Sequence, residues 1–314
     1  MSFGSPEWVP WVLEADKSLP ILKKAHDLGI TTVTAIKKYS IPRDELIIMT
    51  KCFHPVDKTS NKPVRGNIAN NRQYVNQHGL SRFNQVNDWL ERLEMDYIDM
   101  LQIHRYDKDV DPEEVMGALN DLVKSGKVRY IGASSMWCYE FALLQHVAEK
   151  NGWRKFVSMQ GQYNLLYREE EREVIPYCKL TGVGLIPWSP LAAGDLARSV
   201  TATSLRKEGM DRNEDSAAVD SATIEIINRV ETMAMDKGWL MSDVALAWIL
   251  GKVTSPIVGV NTDCAFVVDN GRSLLLAKPF TRSVYNMRYK VEIMKSPTGP
   301  YLPDFAMVAR TKIR

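Results

Sequence analysis

The chain has 314 residues, 45% of them hydrophobic and 25% charged, with a formal net charge of +2. That length and apolar fraction suit one barrel-sized domain over residues 1–314. The near-balanced charge excludes a dedicated nucleic-acid or anionic-membrane surface, and no apolar stretch reaches the ~18 residues that a spanning helix needs. Met1 to Val9 has no basic region followed by an apolar one, so it does not read as a secretory signal, and a cytoplasmic location is expected. Cys52, Cys138, Cys178 and Cys264 lack CxxC or Cys/His spacing and read as reduced thiols. His26, His54, His78 and His146 show no metal-ligand pattern, so no metal is expected.

In chain order, Asp16 is expected to cap a helix through Ile21, Leu22, Ala25 and Leu28, closed by Gly29. Thr31 to Thr34 reads as a shortened strand. The run Leu46–Thr50 leads into Lys51, a strand pattern with a cation at its end. A polar stretch from His54 to Gly79 follows. Ser81 opens a helix with Val86, Trp89, Leu90 and Leu93 on one face. Tyr97 to Ile103 then runs into His104. Pro112-Glu113-Glu114 starts a helix whose Val115, Ala118, Leu119, Leu122 and Val123 follow the helical period, and Gly126 ends it. Strand-like runs recur at Val128 to Ser134-Ser135, Phe156 to Gln160, Val183 to Trp188 and Ser255 to Gly259. Glu169-Glu170-Glu171, flanked by Arg168 and Arg172, reads as a solvated helix start. A second polar stretch, Ala202 to Asp220, precedes helices expected at Thr223 to Lys237, stopped by Gly238, and from Ser242 through Val244, Ala247, Trp248 and Leu250. Short strands alternating with helices predict βα units and a parallel sheet, and the two polar stretches would be loops over its open face. Polar residues gathered at strand C-termini are how such a barrel builds a site.

The stretches SFGSPEW from Ser2, IPRDELIIMTK, DYIDMLQIHRYD, DLVKSGKVRYIGASSMW, EKNGWRKFVSMQGQYNLLYREEERE, GVGLIPWSPLAAG and SDVALAWIL occur in one order. The chain resembles the aldo-keto reductases, most closely the fungal aryl-alcohol dehydrogenase and norsolorinic acid reductase-like branch. The resemblance spans most of Ile41 to Gly259. It implies a (β/α)8 barrel that binds NADP(H) across its C-terminal face and reduces a carbonyl, here an aromatic or polyketide-like small molecule. Lys51 and His104 match the Lys and His of the family's catalytic tetrad. Ser134, Ser135 and Gln160 match positions that hydrogen-bond the nicotinamide carboxamide, and Trp188 matches the aromatic that stacks on the ring. Ser189, Leu191, Ala192 and Gly194 match the loop along the pyrophosphate.

The chain departs from that pattern between Gly29 and Tyr39. Thr31-Thr32-Val33-Thr34 passes directly to Ala35-Ile36-Lys37-Lys38-Tyr39, so the family's catalytic Asp and Tyr, and the helix after them, have no counterpart. Tyr39 matches a structural Tyr at the end of that helix. The first strand is reduced to a stub in residues 1–9, and residues 263–314 form a divergent tail in which the 2′-phosphate contacts cannot be traced; Arg272 and Arg282 read as surface residues. The expected fold is therefore a (β/α)8-type barrel incomplete at strands 1 and 2, with sheet edges covered by loops, the tail or another chain. The chain is either a truncated or mis-spliced relative or a paralogue with a remodelled barrel. Two functions stay open: a reductase using His104 or water as proton donor, and a redox-neutral enzyme or binding protein on the same scaffold.

Overall fold

The computed structural model describes residues 12–27, 41–52, 86–91, 93–203 and 220–259. Helix α1 spans Ala15–Asp27. Strand β1 is Met49–Cys52 and β2 is Ile98–Ile103, with a short helical segment at 86–91 between them. Helix α2 (Pro112–Lys124), β3 (Val128–Ser134), α3 (Cys138–Lys150) and β4 (Ser158–Gln160) follow. Helix α4 (Val174–Thr181), β5 (Gly184–Leu185), α5 (Ser221–Lys237) and α6 (Met241–Leu250) complete the order. The five strands form one parallel sheet in the order β1-β2-β3-β4-β5. Among the described residues this is a run of βα units, not a closed barrel.

Two compact units divide the described residues. One takes 48–52, 86–91, 93–162 and 168–188, and the other takes 12–27, 41–47, 163–167, 189–203 and 220–259. The first contains the whole sheet. Its helix α2 starts where the sequence places it: the Asp111 side chain accepts from the Glu113 N–H at 2.7 Å, and Pro112 loses nothing by lacking an N–H there. Val115, Leu119 and Leu122 fall on one face and are buried. Gly126 follows at φ +76°, a conformation that glycine adopts without strain. Phe141 of α3 stacks on Phe156 at 5.8 Å and meets Tyr177 of α4 edge-on at 5.7 Å. The Gln145 amide closes both backbone groups of Phe156, donating to its carbonyl at 3.0 Å and accepting its N–H at 2.8 Å. These contacts anchor the approach to β4.

In the second unit, α5 and α6 pack Ile227, Val230, Ala234, Val244 and Ala245 around buried Leu196. Asp220 caps α5 through the Thr223 N–H at 2.9 Å, and Gly238 ends it at φ +61°.

Several boundaries differ from the sequence expectation. Helix α1 begins at Ala15, so Asp16 lies in its first turn and is not its cap. Helix α6 begins at Met241, so Ser242 is inside it; Asp243 accepts the Leu240 N–H at 3.2 Å instead. In both cases an acidic residue suits the first turn as well as a cap does. Strand β1 starts at Met49, not Leu46. Val183–Trp188 yields only a two-residue strand, and Ser255–Gly259 forms no extended strand. The pairing with β4 nevertheless continues past β5, as the Ile186 and Trp188 N–H groups donate to the Met159 and Gly161 carbonyls at 3.0 and 2.9 Å. Residues 1–9, Thr31 to Thr34, Ser81, the stretch from His54 to Gly79, Arg272, Arg282 and the tail 263–314 lie outside the described residues, as does most of Ala202 to Asp220.

Candidate active site

The sheet gathers the first unit's sequence-predicted site residues at its C-terminal strand ends. Lys51 is the third residue of β1 and is half-buried. Burial, and then the charge of Arg105, holds its ammonium below the usual lysine range. His104 directly follows β2, and its N–H donates to the Cys52 carbonyl at 3.0 Å, which extends the β1–β2 pairing by one step. Lys51 pairs in register with Gln102, so the two tetrad-matching residues stand on adjoining strand ends.

Ser134, Ser135, Gln160 and Trp188 form a hydrogen-bonded cluster from three segments. The Gln160 carbonyl accepts from the Ser134 hydroxyl at 2.8 Å, the Ser135 N–H at 3.1 Å and the Ser135 hydroxyl at 3.4 Å. The Trp188 indole N–H donates to Ser135 Oγ at 3.4 Å. Trp188 is held in turn by its N–H on the Gly161 carbonyl at 2.9 Å and by a bridge to Gln162. Ser135 adopts φ +40°, an uncommon backbone conformation for a non-glycine residue and one often found at functional sites.

The other unit carries the loop that follows. Ser189, Ala192 and Ala193 all have positive φ, and Gly194 lies at φ +113°. The loop is tied by the Ala192 N–H to the Ser189 carbonyl at 3.0 Å and the Gly194 N–H to the Leu191 carbonyl at 2.8 Å. Asn164 Nδ2 also donates to the Ser189 carbonyl at 2.9 Å. Glycine suits position 194 for its φ, and the Arg198 guanidinium would lie 3.2 Å from a Cβ there.

Over residues 1–264 the chain matches the model of the Aldo/keto reductase family. It belongs to that family. The fold is accordingly the aldo-keto reductases' (β/α)8 type, of which the parallel sheet is the described part. The chain is 48% identical over 290 residues to an aldo-keto reductase of Fusarium vanettenii, covering 83% of this chain and 78% of the relative. It is 46% identical over 287 residues to versiconal hemiacetal acetate reductase of Aspergillus parasiticus, covering 83% of each. With a putative aryl-alcohol dehydrogenase of Schizosaccharomyces pombe it shares 44% over 333 residues, covering 96% of this chain and 91% of the relative. That alignment is longer than the whole 314-residue chain, so the relative has positions within the match that this aldo-keto reductase lacks.

The donor set fits a nicotinamide dinucleotide, the cofactor class of the aldo-keto reductases. Serine hydroxyls and the Gln160 amide offer the mixed donors and acceptors that a primary carboxamide needs, and the Trp188 indole offers a flat face. Among the described residues no group of three or more His, Cys, Asp or Glu could hold a metal, and no helix is long and apolar enough to cross a membrane.

Three residues at or beside the site escaped the sequence reading. Gln102 is buried inside the apolar run of β2 and bonds to Gln160; its signal was a lone amide two residues before His104, on the same strand face. Arg198 lies against Gly194, with no motif to announce it. Glu170 is only half-buried within its acidic run, and burial raises its carboxyl pKa, whereas Glu169 and Glu171 pair with Arg172 and Arg168 at 2.6 Å each. The run forms a 3-10 turn in which Glu169 is exposed and Glu170 and Glu171 are half-buried, so the solvated helix start expected from the sequence holds only in part.

Proposed function

We propose that this aldo-keto reductase binds NADP(H) and interconverts an aromatic or polyketide-type carbonyl compound with its alcohol, working in the cytoplasm as one barrel-derived domain. The observation that carries the reading is the cluster of Ser134, Ser135, Gln160 and Trp188, built from separate strand ends and independent of the shortened segment before Tyr39. Bound NADPH supplies a hydride to the carbonyl carbon. The chain's own residues do the rest. Ser134, Ser135 and Gln160 hold the carboxamide, and the Trp188 face flanks the ring. Ser189, Leu191 and Gly194 line the pyrophosphate.

Negative charge builds on the carbonyl oxygen during reduction, and a proton or hydrogen bonds must meet it there. The family's Tyr has no counterpart in Thr31 to Tyr39, so His104 is the proposed donor. Lys51 suits this task less well: as a neutral amine it is a poor acid, and burial opposes its charge. The same missing segment favours a second reading, a redox-neutral enzyme or binding protein on this scaffold, since loss of a general acid removes ~10²–10⁴-fold in rate.

Titrating NADPH while following tryptophan fluorescence tests the cofactor reading. Saturable quenching that Trp188→Leu and Gln160→Met weaken supports it, and no binding at millimolar NADPH overturns it. Turnover of an aromatic aldehyde by the same preparation separates the two readings, because the second has binding without turnover.

A further inference from the structure

Register partners in a parallel sheet share one face, so the surroundings of Lys51 can be followed strand by strand. Lys51 stands opposite Gln102, Gln102 opposite Gly132, Gly132 opposite Ser158 and Ser158 opposite Gly184. This row is close-packed, since a Cβ at Gly132 would lie 2.4 Å from Ser158 Oγ and 3.1 Å from Gln102 Cγ. The row before it holds Met49, Met100 and Tyr130, and the row after it holds Ser134 and Gln160. No member of these rows is a carboxylate, so among the described strands Lys51 has no counter-ion on its own face. Asp99 is one residue out of phase, and its carboxylate accepts the Ile48 N–H at 2.8 Å.

The charge that does act on Lys51 is that of Arg105, which has the same sign. The family's Asp and Tyr have no counterpart between Gly29 and Tyr39, so neither a carboxylate nor a phenol from that segment engages this amine. A half-buried lysine beside a like charge is in the setting that favours the neutral amine, and the neutral amine is a nucleophile. His104 comes two residues after Gln102, and its N–H continues the ladder onto the Cys52 carbonyl at 3.0 Å, so alternation brings it to the face that Lys51 shares.

We propose that Lys51 is a nucleophile toward aldehydes and ketones, forming an imine with an aromatic or polyketide-type carbonyl at the ends of β1 and β2. The proposal rests on the redox-neutral reading of this site, to which it gives a reaction. The Lys51 Nζ lone pair bonds to the carbonyl carbon, and the carbonyl π pair moves to oxygen. A proton passes from nitrogen to oxygen, which gives the carbinolamine. His104 protonates that hydroxyl, the C–O bond breaks, and water leaves as the nitrogen lone pair closes the C=N bond. Amine, carbonyl and one proton thus become a protonated imine and water, with no change of oxidation state. The positive nitrogen draws electrons from the adjoining carbon, so a neighbouring C–H or C–carboxylate bond can break without a hydride acceptor.

Benzaldehyde with sodium cyanoborohydride, which reduces an iminium faster than an aldehyde, tests this on the full chain at pH 7 without nucleotide. Mass spectrometry of tryptic peptides locates the benzylated lysines. Lys51 should be labelled several-fold faster than the exposed Lys150 and Lys155, and its lead should vanish in urea. Arg105→Glu alters an exposed side chain and puts a carboxylate where a cation stood; it should slow the Lys51 adduct several-fold and leave Lys150 and Lys155 unchanged. Labelling of Lys51 no faster than that of the two exposed lysines, or undiminished in Arg105→Glu, overturns the proposal. NADPH oxidation with benzaldehyde separates that failure from failure of the reading beneath it. No adduct and no turnover removes the imine alone, whereas turnover without an adduct removes the redox-neutral reading as well.

Discussion

Lys51 carries a charge that the fold disfavours, and the sign of that effect is measurable. Burial and Arg105 lower its pKa in the folded chain, whereas the unfolded lysine titrates near ~10.4. Below both values the full penalty on the charged form is present. Between them the unfolded chain holds more protons, so stability rises with pH. Lys51→Met is therefore expected to raise the urea midpoint at pH 7, with the gain shrinking as pH approaches the unfolded value. His104 follows a different course. His104→Ala should lower kcat/KM by ~10²–10⁴-fold, more than Lys51→Ala does. A rate on an aromatic aldehyde indifferent to His104→Ala would point to another acid. Cys178 offers a third residue-level test. Its thiol is pushed up to about 12, chiefly by burial, so it should resist iodoacetamide at pH 8 in the native protein and react only after unfolding, as read by mass spectrometry.

Among the elements, β3 and α2 make the sharpest expectations. Gly132→Ala places a Cβ 2.4 Å from Ser158 Oγ and 3.3 Å from the Ser158 carbonyl, where one of the two neighbours is backbone. Overpacking of this kind costs about 1–3 kcal/mol, and urea unfolding should register it. Because Gln102 is also crowded, NADPH affinity should fall in the same variant. Asp111→Ala removes the acceptor for the Glu113 N–H and should cost about 1 kcal/mol while leaving NADPH affinity intact, since α2 supports the sheet without contributing a proposed site residue. The element boundaries teach a smaller lesson. Residues near element ends were misplaced: Asp16 and Ser242 sit within helical first turns and cap neither helix.

At the scale of the whole molecule, a ligand that binds only the folded chain stabilises it by mass action. NADPH at a hundred times its dissociation constant should add about 2.7 kcal/mol to the unfolding free energy. A urea titration unchanged by NADPH would contradict the cofactor reading through a measurement unconnected with turnover. The described sheet runs from β1 at one edge to β5 at the other. If the barrel is incomplete, as the missing stretch before Tyr39 implies, pairing between chains is one way to cover an edge. Light scattering of the purified protein across micromolar concentrations tests that expectation, and a monomer at every concentration would assign the cover to this chain's own loops or tail.

The family and the βα alternation could both be read from the chain itself: the first from ordered stretches that resemble the aldo-keto reductases, the second from short-range pattern. Short apolar runs end in Lys51, His104, Ser134 and Gln160, and helical faces such as Val115, Leu119 and Leu122 repeat within one element. Tertiary structure decided what lies between strands far apart in sequence. Gln102 and Gln160 are separated by 58 positions, and only the parallel register across β3 brings one amide within 3.0 Å of the other. The same holds for the indole of Trp188 on Ser135, 53 positions away, and for the burial that displaces the Lys51 and Cys178 pKa values. Hydrogen-bond partners and desolvation are properties of the space around a side chain, and a linear pattern carries no record of that space until the strands are aligned.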